Sequence, residues 1–100
     1  MRIKYTRTHE SEKVTEPLLI KEVKALKGLC IKLVTLHFAG LPDRLVLLPG
    51  GIIFFVETKS QGDTPSAIQI YVHKKIRALG FKVYVADTAQ KIKNVIDEYR

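Results

Sequence analysis

The sequence predicts a single α/β domain with elements in the order α-β-β-β-α-β-α. Three observations carry that expectation. Two stretches place apolar residues at helical spacing behind a cap residue and a proline; two nearly continuous apolar runs flank a Pro-Gly-Gly turn; and a further strand-like run near the C-terminus precedes a last amphipathic segment. One hundred residues, 46% of them hydrophobic, suit one compact core and exclude a multidomain enzyme.

Residues 1–13 are polar and basic without a period, and are expected to form an arm ahead of a domain over 14–100. From Thr15 the pattern becomes helical: Leu19, Val23 and Leu26 recur on one face, Thr15 serves as N-cap, Pro17 falls in the first turn and Gly28 marks the stop. CIKLVTL (30–36) alternates as a strand does. RLVLL (44–48) and IIFFVE (52–57) read as strands covered on both faces, joined by Pro49-Gly50-Gly51. Thr64-Pro65 starts a second helix with Ile68, Val72, Ile76 and Leu79 as its buried stripe and Gly80 as its end. A fourth strand holds Val83 and Val85, and a final helix over 89–99 carries Ile92, Val95 and Ile96.

Charge narrows the function. Seventeen Lys and Arg against ten Asp and Glu give +7, which favours a polyanionic partner and nucleic acid above all. Cys30 has no second cysteine for a disulfide, and the three histidines share no short spacing that would make a metal site. The N-terminal MRIKYTRTHE lacks the apolar stretch of a signal peptide, and the apolar runs 45–48 and 52–56 are too short to span a bilayer, so a cytoplasmic protein with no membrane partner is expected.

The acids carry the chemistry. Glu57 and Lys59 are two residues apart at a strand end and project from the same face. Asp43 joins them in one register only: a two-residue loop at Gly50-Gly51 pairs Arg44 with Glu57, whereas a three-residue loop at 49–51 pairs Asp43 with Glu57. Two converging carboxylates beside an ammonium suit a hard divalent cation such as Mg²⁺, which takes one or two carboxylates and shares its other positions with waters and phosphate oxygens. The Thr58 backbone carbonyl can add an oxygen, and Lys59 can orient a water or neutralise a phosphate. Against this stands a plain solvated ion pair at a strand end.

GLPDRLVLLPGG, FFVETK, the Gln in PSAIQ and RALGFKVYVADT together resemble the VRR-NUC family of the PD-(D/E)xK nuclease superfamily, in its small stand-alone form typical of phages. The likeness runs from about residue 16 to 88. It implies a restriction-endonuclease-like α-β-β-β-α-β core with a mixed four-stranded sheet and helices on both faces, and Mg²⁺ or Mn²⁺ as cofactor. The family's Pro-Asp falls on Pro42 and Asp43, its acid-x-Lys pair on Glu57 and Lys59, its first-helix glutamate ligand on Glu16 and its helix glutamine on Gln69. Asp43, Glu57, Lys59 and Gln69 are then catalytic, with Glu16, Asp43, Glu57 and the Thr58 carbonyl around the metal. Pro17 directly after Glu16 departs from the family pattern and leaves Glu12 as the alternative ligand. TLHFAG (35–40) lacks the Gly- and Arg-rich character of relatives.

His73, Lys74, Lys75, Arg77 and Lys82 are candidates for DNA backbone contact, the competing reading being an ordinary wet face. The expected activity is a metal-dependent, structure-selective DNA endonuclease, with a non-catalytic nucleic-acid-binding module as the alternative. One active site cuts one strand, so a C₂ homodimer would suit a two-fold substrate, and small family members imply Holliday (four-way) junction cleavage by homodimers. Leu18, Leu19 and Ile20 of the first helix, or the arm, are the expected dimer surface. A phage origin would place the protein in the bacterial host's cytoplasm.

Overall fold

A computed structural model describes residues 10–100. The elements follow the expected order: α1 (Glu12–Ala25), β1 (Leu29–Lys32), β2 (Arg44–Leu48), β3 (Ile52–Thr58), α2 (Ala67–Ala78), β4 (Lys82–Ala86) and α3 (Ala89–Asp97). The four strands form one mixed sheet in the order β1-β2-β3-β4. The first two pairings are antiparallel and β3 pairs parallel with β4, as a strand-helix-strand crossover through α2 requires.

Alternation sorts the sheet into two unlike faces. Val46 and Leu48 of β2, Phe54 and Val56 of β3 and Ala86 of β4 point at α1 and α3, where they meet Leu19, Val23, Ile92, Val95 and Ile96 in one core. Phe54 stacks on Tyr99, with ring centroids 4.4 Å apart, and is fully buried. Burial of such a side chain contributes about 1.5–3 kcal/mol. The other face is covered less completely. There α2 lies against β4, while Leu29 and Ile31 of β1 and Ile53 of β3 remain exposed.

The first helix starts earlier than expected. Ser11 is the N-cap and accepts from the Lys13 amide, so Glu12 and Lys13 belong to α1 rather than to an arm, and Pro17 lies inside the helix. Residues 1–9 of the expected arm fall outside the described residues. Thr15 is not a cap: it is buried one turn in, in line with Leu19 and Val23, and its hydroxyl donates to the Lys59 carbonyl at 3.4 Å. The helix ends as predicted, by a different residue. Lys27 takes the left-handed conformation (φ 67), and the amides of Lys27 and Gly28 close back onto the Lys24 and Val23 carbonyls. Gly28 is needed for space instead, since a Cβ there would come within 2.5 Å of the Leu47 carbonyl.

The buried stripe of α2 is rolled relative to expectation. Val72 is inside, but Ile68 and Leu79 are exposed, and His73 takes an inward place. β1 is also shorter than the predicted 30–36, ending at Lys32.

Two substitutions separate the roles at the end of α1. Lys27→Gly should raise stability by about 1 kcal/mol by relieving a left-handed non-glycine. Gly28→Ala should lower it by about 1–3 kcal/mol through overpacking against the β2 backbone. Urea titrations of both variants check the opposite signs.

Candidate active site

The β2–β3 register decides how the acids meet. Arg44 pairs with Val56 and Leu48 with Ile52, so the connection is the three-residue loop 49–51, and the next pair beyond the ladder brings Asp43 opposite Glu57. Gly50 and Gly51 both adopt positive φ, which that turn demands.

Glu57 is 1% exposed and sits at the centre of the cluster. Its Oε1 accepts the Asp43 amide at 3.1 Å. Its Oε2 accepts the Gln69 side-chain amide at 3.0 Å and lies 3.1 Å from the Lys59 ammonium. Asp43 is held in turn by Thr58: the backbone N–H and hydroxyl of Thr58 both donate to Asp43 Oδ2, at 3.2 and 3.1 Å. Burial and the adjacent Asp43 carboxylate push Glu57 above the usual carboxylate range, against the pull of Lys59 and Gln69. Gln69 is placed by a capping box at the start of α2, where it also exchanges hydrogen bonds with Ser66.

Asp43, Glu57, Lys59 and Gln69 are therefore brought together, with Thr58 between the acid and the lysine. Glu16 is engaged elsewhere. Its Oε2 binds the Arg44 guanidinium at 2.8 Å and lies 3.5 Å from Lys32, and the Arg44 hydrogen bond holds its carboxyl below the ordinary range. Arg44 alternates with Asp43 along β2, so this ion pair occupies the α1 side of the sheet while Glu57 and Gln69 meet on the α2 side. Glu12 is exposed in the first turn of α1. Among the described residues no three His, Cys, Asp or Glu side chains gather at metal-ligating distance. The Asp43–Glu57 pair still fits a divalent ion: two adjacent carboxylates repel each other, and magnesium needs no more than one or two.

The candidate nucleic-acid contacts divide. Lys74 and Lys75 are exposed on α2, and Lys75 lies over the Tyr71 ring at 5.3 Å. Arg77 donates to the Val83 carbonyl at 2.7 Å, and the exposed Lys82 lies 3.7 Å from Glu98. His73 corrects the expectation of a solvated helix residue that reaches a phosphate. It is 1% exposed because the roll of α2 that aims Gln69 at Glu57 also carries the residue one turn later inward. Its Nε2 has no hydrogen-bond partner. Burial, with Arg77 and Lys59 nearby, holds its pKa below the ordinary histidine value.

Residues that pattern reading passed over include Arg44, a nearly buried guanidinium, and Thr15, which ties α1 to the end of β3. An arginine opening the otherwise apolar run RLVLL was the available signal for the first. Glu10 is another: its carboxylate accepts the Ala89 amide at the start of α3, and its backbone pairs with Gln61.

A mixed sheet with an acid and an acid-x-Lys pair meeting at the ends of two antiparallel strands defines a nuclease of the PD-(D/E)xK type. No family model matches the sequence. A phage protein described as "Putative nuclease p44", from Acyrthosiphon pisum secondary endosymbiont phage 1, is 42% identical over 73 residues, which cover 73% of this chain and 78% of that protein. A solved VRR-NUC domain superposes with a TM-score of 0.79 at 32% identity, over 85% of this chain and 92% of the domain. The chain belongs to the VRR-NUC family, and it is a nuclease. No described helix is long and apolar enough to cross a membrane.

His73 gives the site a pH signature. Its proton is bound more weakly in the folded chain than in the unfolded one, so stability is complete above about pH 6.5 and is lost as pH falls toward the depressed folded value, by at most about 1.4 kcal/mol per pH unit. His73→Leu should remove that slope and leave the melting temperature at neutral pH equal or higher, because an unpaired buried nitrogen is lost. Thermal melts between pH 5 and 8 check both.

Proposed function

We propose that this nuclease is a Mg²⁺- or Mn²⁺-dependent endonuclease that hydrolyses DNA phosphodiesters, acting as a homodimer on four-way junctions in the cytoplasm of a bacterial host. The observation that carries the catalytic part is the Asp43–Glu57–Lys59–Gln69 cluster, a buried acid tied on both oxygens beside a second acid and an ammonium.

Asp43 and Glu57 would hold the ion, with the Thr58 carbonyl between Glu57 and Lys59 as a further oxygen. A divalent ion bound there supplies an acidified water and offsets charge on the phosphate. Gln69 and the Asp43 amide keep Glu57 aimed and ionisable in a buried position. Lys59, only partly exposed, stands where it can donate to a phosphate oxygen or to the attacking water. Glu16 acts through Arg44 in this reading. Its carboxylate balances a guanidinium whose side chain is 11% exposed, and its Oε2 is committed to that ion pair.

DNA follows from the +7 charge and from exposed Lys74 and Lys75 on the helix that carries Gln69. Of the expected α1 surface, Leu19 is fully buried and Leu18 packs against the core, while Ile20 is exposed. The sheet face bearing Leu29, Ile31 and Ile53 supports the homodimer better. It is apolar, lies beyond the reach of α2, and a two-fold packing of one such face on another buries the same rows from both copies.

Asp43→Asn and Glu57→Gln should each reduce metal-dependent cleavage by about 10³-fold or more while leaving DNA affinity intact. Calorimetry with Mn²⁺ should show binding lost in Glu57→Gln and kept in Glu16→Gln, whose melting temperature falls instead. Cleavage assays on duplex, flap and four-way junction, with sedimentation of the wild type, test the rest. A preference for flaps, or a monomer at micromolar concentration, would remove the junction and dimer claims.

A further inference from the structure

The connection between β1 and β2 springs from the active site and carries its largest apolar side chains outward. Leu36 is 92% exposed, Val34 76% and Phe38 55%. The two limbs are joined at the site itself, where the Leu33 amide donates to the Asp43 carbonyl at 2.8 Å. On the returning limb Gly40 has φ 93, and a Cβ there would come within 2.8 Å of the Ile68 carbonyl and 2.7 Å of Val72. That limb therefore lies flat on the first turns of α2, beside Gln69. The base of the loop is thus bracketed by Asp43 and by the helix that holds Glu57 in place.

Distance names the occupant. Phe38 is five residues from Asp43, at most about 18 Å of extended chain. Any strand whose phosphate lies at the Asp43–Glu57 site brings its next few nucleotides within that radius, and a chain of charge +7 attracts DNA as a polyanion. Large apolar side chains presented to a duplex act by entering between base steps and unstacking them.

We propose that Leu36 and Phe38 form an apolar wedge that enters DNA beside the scissile phosphate and rests on bases already unstacked at a branch or distortion. The wedge rests on the endonuclease reading above and deepens it: it makes distorted DNA the better substrate, because the cost of unstacking is lowest there. TLHFAG (35–40), which holds both side chains, is then a segment of substrate contact.

Both side chains are exposed, so the double variant Leu36→Ala/Phe38→Ala should melt with the wild type. The probe is 2-aminopurine placed at the branch point of a four-way junction and at the same position of a linear duplex of the same sequence, read with Ca²⁺ so that no cleavage intervenes. The wild type should change the junction signal and the double variant should not. With Mg²⁺, kcat/KM on the junction should fall by about ten-fold, the worth of one base–aromatic stack, and stay within about two-fold on the linear duplex. An unchanged junction signal and rate in the variant would overturn the wedge, and so would a variant that loses self-association while keeping the fluorescence response, since the loop would then be an interface between copies. If the wild type cuts no DNA, the endonuclease reading falls, and the Ca²⁺ fluorescence comparison still decides the wedge.

Discussion

A carboxylate taken out of water must be paired or hydrogen-bonded on nearly every lone pair, and among the described residues Glu57 is the group on which that demand falls. It is met by three donors from three places: the backbone at the start of β2, the first turn of α2 and the residue just beyond β3. Each donor constrains its element. The Asp43 amide requires the three-residue turn; Gln69 requires α2 to present the capping-box side of its first turn; and Lys59 must continue the face that Glu57 occupies.

The same demand explains features that look like defects of packing. Rolling α2 to aim Gln69 inward carries His73 in with it and leaves Ile68 and Leu79 at the surface. Burial beside Asp43 raises the affinity of Glu57 for a proton, against the pull of Lys59 and Gln69. A second charged group is kept apart by the sheet: Glu16, Arg44 and Lys32 neutralise one another on the α1 side, where an unpaired guanidinium would be expensive. Thr15 and Thr58 link the two sides through the end of β3, one by its hydroxyl on the Lys59 carbonyl and one by its hydroxyl on Asp43.

The two sheet faces divide labour accordingly. The α1–α3 face holds the apolar core, with Phe54 against both Tyr84 and Tyr99. The opposite face gives up apolar cover for a polar site at one end and exposed side chains at the other. Uneven burial of this kind marks surfaces that meet partners, whether a substrate or a second copy. The VRR-NUC likeness spans both faces, covering 85% of the chain.

Much of this was legible in local pattern. Strand alternation, the Pro-Gly-Gly turn and the glycines after α1 and α2 are short-range effects, so element order and type follow from residues close in sequence, and Glu57 and Lys59 share a face because a strand repeats every two residues. Charge pointed to nucleic acid, and the resemblance carried by GLPDRLVLLPGG and FFVETK pointed to a nuclease. Long-range contacts decided the rest. The choice between two hairpin registers was settled by the ladder that sets Arg44 against Val56. The roll of α2 was settled by a hydrogen bond between residues 57 and 69, and the fate of Glu16 by an arginine on another element. Periodicity says that a helix has an inner face, but only the partner it packs against selects which polar residues that face can satisfy; that choice belongs to the tertiary structure.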